Sequence, residues 1–202
     1  MIAKKIGDRQ GEAHVLANVG WVEAILGLYG NAKRSLAEAL VIEREVGHCQ
    51  SEAYALLNLA LVAVNSGEPE LAKVHAQQAL EIVRDIRERS GEAFALTFLA
   101  HAELALGSAV TAEDAYGQTV ALHRQLEQHH LAVEPLAGMA QAAVTTGDRA
   151  TVISRVEEIL AYLDAGGTLD GAEEPLRVYL ICYRVLQAAQ DPRAIQILST
   201  GP

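Results

Sequence analysis

A forty-residue repeat constrains this chain more than any other feature. Gly27, Gly67, Gly107 and Gly147 stand on one period of 40, in a chain of 202 residues with 16 glycines. Their flanks keep the same interval. Leu16, Leu56, Leu96 and Leu136 lie upstream, then Val19, Leu59, Leu99 and Met139, then the small residues Gly20, Ala60, Ala100 and Ala140. Downstream come Ala32, Ala72 and Ala112, and the pairs Ala39–Leu40 and Ala79–Leu80. Such a chain builds one supersecondary unit repeatedly, and each unit buries its apolar face only against its neighbours.

Each unit is predicted to be two helices. In the first, apolar residues at three- and four-residue spacing predict helix A over 10–27 and helix B over 31–47. The glycine between them ends helix A, because Gly enters the left-handed C-cap conformation without strain. Prolines agree with this division. Pro69 and Pro192 fall where B helices start, and Pro135 and Pro175 fall in the first turn of A helices, where a missing N–H is tolerated. The small residues at 20, 60, 100 and 140 are expected to face the partner helix, letting the two backbones approach to about 8 Å. The fold class is therefore all-α, built of antiparallel helix hairpins.

The best copy of the pattern is Leu16–Val19–Gly20–Leu26–Gly27–Tyr29–Ala32–Ala39, and it resembles the tetratricopeptide repeat in a longer form. The likeness runs over 1–163, with departures. Glu23 and Glu103 stand where that family often has an aromatic residue, and Val152 and Ile159 replace alanines in the fourth unit. The resemblance implies a right-handed α-solenoid of about four full repeats with partial ones at the ends. As a single array it divides into 1–8 (the end of a preceding B helix), 9–48, 49–88, 89–128, a degenerate 129–164, a linker 165–172 and a truncated 173–202. Ile2, Lys4, Lys5 and Ile6 align with Ile42, Arg44, Glu45 and Val46, so the chain is expected to be a piece of a longer array with uncapped ends. The last unit, EPLRVYLICYRVLQAAQDPRAIQIL, resembles the closing repeat of arrays in large bacterial multidomain regulators, which implies a role in signal transduction.

Composition excludes other classes of function. Half the residues are hydrophobic and 4% aromatic, so the core must be built from Ala, Leu, Val and Ile. A net charge of −10 repels phosphate backbones, and no nucleic-acid partner is expected. Cys49 and Cys182 form no CxxC pair, which favours a reducing compartment. The N-terminal sequence lacks a signal-peptide core, and no window reaches the roughly 18 apolar residues of a membrane span. A cytoplasmic protein with no membrane partner is expected.

Catalytic constellations are not apparent. His123, His129 and His130, with Glu127 nearby, read as a solvated histidine cluster rather than a metal site. The segment AGGTLDGA lacks the lysine and strand of a phosphate loop. Adjacent pairs such as Glu157–Glu158 and Glu173–Glu174 splay apart on a helix. The expectation is no enzyme, no cofactor and no metal.

Tetratricopeptide repeats line a concave groove with their A helices, and the resemblance carries this over position by position. Unit one would present His14, Ala17, Trp21 and Ile25; unit two Tyr54, Leu57, Leu61 and Asn65. Unit three would add Phe94, Thr97 and His101, and unit four Glu134 and Gln141. No Lys or Arg cluster lies among them, so the groove suits an amphipathic helix or peptide of a protein partner, and the chain reads as a scaffold. Two other functions fit the same residues. One is a small-ligand sensor for a sugar or peptide, stacking on Trp21, Tyr54 and Phe94 with His101 and Gln141 as polar contacts. The other is a structural spacer that forms homo-oligomers through its uncapped ends.

Overall fold

The computed structural model describes residues 8–170, 172 and 175–199, and among them there is no strand. Among the described residues ten α-helices follow one another: α1 (Arg9–Ile25), α2 (Tyr29–Val46), α3 (Cys49–Asn65), α4 (Pro69–Asp85), α5 (Arg89–Ala105), α6 (Ala109–Gln125), α7 (Val133–Thr146), α8 (Arg149–Asp164), α9 (Pro175–Ala188) and α10 (Arg193–Ser199). A short 3₁₀ turn, His129–Ala132, leads into α7. Two compact units divide the chain, 1–106 and 107–202. The register argument from Ile2, Lys4, Lys5 and Ile6, and the pair Glu173–Glu174, fall outside the described residues.

The glycine period sets where the first helix of each pair stops. Gly27, Gly67, Gly107 and Gly147 all have φ between 73° and 83°. With the chain turned left-handed there, the next N–H reaches back to an otherwise unused carbonyl. Leu28 N donates to Glu23 O at 2.8 Å, Glu68 N to Ala63 O at 2.9 Å and Asp148 N to Ala143 O at 2.9 Å. The second helices end the same way with less suitable residues. Gly47 takes the position after α2, but Arg87 and Glu127 hold φ of 58° and 57° after α4 and α6.

A second feature recurs at 40 at the opposite ends. Asp8 Oδ1 accepts from Gly11 N at 2.8 Å, His48 Nδ1 from Ser51 N at 3.3 Å, and Glu88 Oε1 from Ser90 N at 3.1 Å. Each satisfies N–H groups that the first turn of a helix leaves free.

In the first unit α1 pairs with α2 and α3 with α4; α2 then packs on α3, and α4 on α5. The first helices also touch in succession, α1 on α3 and α3 on α5. Gly20 faces its partner helix as its size requires: a β-carbon there would lie 2.6 Å from Leu36 Cγ and 3.2 Å from the Ala32 carbonyl. Ala60 and Ala100, one and two periods on, are completely buried. Leu36 and Leu56 are too, each worth about 1.5–3 kcal/mol relative to exposure.

The two glutamates in aromatic positions are both engaged. Glu23 Oε2 accepts from the Ser35 hydroxyl at 2.8 Å, and buried Glu103 meets Lys73 Nζ at 2.8 Å.

In the second unit α6 packs on α7, α7 on α8, α9 on α7 and α8, and α10 on α9. Its largest buried side chain is Tyr116, and a β-carbon on Gly138 of α7 would press into the face of that ring, closer than van der Waals contact allows. The departures Val152 and Ile159 are buried, filling with larger side chains the space that alanines leave elsewhere. After α8 the chain turns at Gly166, with the Tyr162 hydroxyl donating to Thr168 O at 3.1 Å.

Candidate partner-binding surface

The expected groove residues separate by exposure. In the first unit His14, Trp21, Ile25, Tyr54 and Asn65 are exposed, and Ala17 and Phe94 are half-buried. Leu57, Leu61, Thr97 and His101 are buried, contrary to a uniformly open groove. Leu57 and Leu61 lie on α3, which packs on both α1 and α5, and so belong to the interior. The Thr97 hydroxyl donates to the Ala93 carbonyl of its own helix at 2.9 Å. In the second unit Glu134 is buried, and half-buried Gln141 accepts from Arg177 Nη2 at 2.9 Å.

The accessible apolar set is therefore smaller than the sequence suggested. Trp21 is 46%, Ile25 64% and Tyr54 38% exposed. The Tyr54 hydroxyl donates to Glu88 Oε2 at 3.3 Å, which orients the ring. Partial burial, and secondarily the Glu88 charge, raises its pKa above the usual tyrosine value. The ring is neutral at physiological pH, as an apolar contact surface requires.

A second apolar stripe, outside the expected groove, runs along α1. Val15, Val19, Val22 and Leu26 are all exposed. Their counterparts 40 and 80 residues on mark this as a packing face: Val22 is 48% exposed, Val62 0% and Ala102 1%. Comparing burial across the period finds it; spacing alone does not.

The histidines do not form the solvated cluster expected of them. His129 and His130 are exposed, but His123 is buried, its Nδ1 3.2 Å from Gln128 Oε1. Burial pushes its pKa below the ordinary histidine value. Among the described residues no group of three His, Cys, Asp or Glu can hold a metal ion. Cys49 is exposed and Cys182 buried, both free, and burial pushes the Cys182 thiol up to about 12, where it is unreactive at neutral pH. No described helix is long and apolar enough to cross a membrane.

Paired helices, a left-handed glycine between the members of a pair and small residues where they cross define a tetratricopeptide-like repeat protein. Solved structures of that class match nearly the whole chain. One, a Podosopora anserina protein of the kinesin light chain type with nearly identical TPR-like repeats, has a TM-score of 0.71 at 17% identity, covering 94% of this chain and 93% of its own. Another, a Rap protein complexed with Competence and Sporulation Factor, has a TM-score of 0.72 at 18% identity and covers 93% of this chain. This chain spans 56% of the Rap protein's length. No family model matches the sequence, and no curated protein does.

Proposed function

We propose that the chain is a non-catalytic protein-interaction module that holds an amphipathic helix or extended peptide against its first helices, with Trp21, Ile25 and Tyr54 as anchors. The observation that carries this reading is the exposure of those three side chains in a protein with only 4% aromatic residues. Trp and Tyr are enriched among interface anchors, and truncating one costs about 2 kcal/mol or more. The Rap structure supports a binding role at the level of fold alone, since it holds a factor. The partner is a protein segment. The parent molecule, a cytoplasmic bacterial signalling regulator, is inferred from the resemblance of the closing repeat.

The W21A/Y54A double variant is expected to lose capture of partners from a lysate of the source cell while its helical circular dichroism is unchanged. Full retention of capture by a folded double variant refutes the reading.

A second reading, self-assembly, is favoured by the exposed α1 stripe. Stacking another helix there would cover Val15, Val19 and Val22 as their counterparts are covered. Light scattering across a dilution series tests it. Concentration-dependent dimers lost in V19E/V22E support assembly, and a strict monomer dismisses it.

A further inference from the structure

The second unit carries six arginines and no lysine against twelve Asp and Glu, so each cation has carboxylates to choose from. Four arginines have polar partners: Arg124 and Arg155 with Glu158, Arg177 with Gln141, and Arg193 with Glu157 and Asp191. The other two, Arg149 and Arg184, pair with no carboxylate among the described residues, and both are exposed. They line one and the same cleft.

That cleft has a volume of about 320 Å³ and lies between the end of α7, the first turns of α8 and the end of α9. Its walls are aliphatic, with Val144, Val152, Ile153 and Val185 beside alanines. Val144 and Ile153 are both at least half exposed into it, so the cleft is open to a ligand without rearrangement. The size is at the small end of ligand pockets, which run from about 300 to 1,000 Å³. It suits a short aliphatic chain and is too small for a long acyl tail.

An apolar wall bordered by two guanidiniums that pair with no carboxylate among the described residues suits an amphiphilic anion. Guanidinium groups bind carboxylates through paired, charge-assisted hydrogen bonds. Aliphatic walls add affinity in proportion to the apolar area they cover. We propose that this cleft binds a small amphiphilic carboxylate, with its aliphatic chain against Val144, Ile153 and Val185 and its carboxylate between Arg149 and Arg184. The site belongs to the second unit, shares no residue with the anchors of the first and does not depend on the partner-binding reading.

The test is an NMR titration of the full chain with octanoate, followed through the methyl resonances. Octanol, octylammonium and the acetylated, amidated peptide Glu-Leu-Leu-Glu serve as comparison probes. Octanoate is expected to give saturable shifts at Val144, Ile153 and Val185. Arg149→Gln and Arg184→Gln, both at exposed positions, are each expected to weaken it about tenfold. Ala188→Trp, which fills the cleft, is expected to abolish the shifts with circular dichroism unchanged. Octanol or octylammonium binding as tightly as octanoate would show that the arginines read no charge, and overturns the proposal. So does binding of the peptide without octanoate, which makes the occupant a partner segment, or shifts with no probe at all.

Discussion

Gly138 of α7 lies flat against the Tyr116 ring of α6, with the position a β-carbon would take only 2.7 Å from Tyr116 Cε2. Tyr116 is completely buried and has nowhere to retreat. Gly138→Ala is therefore expected to destabilise the protein by about 1–3 kcal/mol through overpacking, despite alanine's better helix propensity. Gly20→Ala, against Leu36, belongs to the same class. Urea denaturation with an unchanged slope checks both.

Lys73 and Glu103 join α4 to α5 where the repeat pattern usually has apolar packing. Removing the lysine alone leaves a buried carboxylate without its cation. Lys73→Met is expected to cost about 1–3 kcal/mol, and the double variant K73M/E103L to recover most of it. A double-mutant cycle in urea measures the coupling.

Left-handed residues after the second helices offer a contrast. Arg87 holds a φ of 58° that glycine takes without strain. Arg87→Gly is expected to stabilise by about 1 kcal/mol, and Gly67→Ala to destabilise by a similar amount. Thermal unfolding of the pair should move in opposite directions.

Burial lowers the pKa of His75, with Arg44 adding to it, and of His123. Their neutral forms are favoured in the folded state, so their contribution is present above the unfolded value of about 6.5 and is lost as pH falls through the lowered folded values. Glu43 behaves oppositely. Desolvation raises its pKa, and its buried Oε2 has no hydrogen-bond partner among the described residues. Its contribution is present below the unfolded carboxylate value and is lost as pH rises through the folded one. Melting temperature is therefore expected to fall from pH 7 to 5, less steeply in His123→Gln, while Glu43→Gln raises it at pH 7 and not at pH 4.

Trp21 is the single tryptophan and is exposed, so its fluorescence reports on the proposed anchor surface. Red-shifted emission quenched by iodide is expected in the free protein, and a blue shift with protection on partner capture. Quenching that is unaltered by a bound partner would place that partner elsewhere.

Much of the helical architecture was readable from the chain because backbone conformation is decided locally. Glycines at 27, 67, 107 and 147 take the left-handed turn wherever they stand, prolines mark helix starts, and Gly20 reports a close approach by having no side chain. The groove is less legible. Leu57, Leu61, Thr97, His101 and Glu134 shared a period with exposed Trp21 and Tyr54, yet became interior.

The sequence by itself determined the period, the helix ends and the small residues where helices cross, since each depends on a residue and its near neighbours along the chain. Only the tertiary structure decided which positions of a period remain in contact with water, that His123 is buried, and that Arg149 and Arg184 border one cleft. Burial depends on what packs from other helices, and identical positions in successive repeats receive different neighbours.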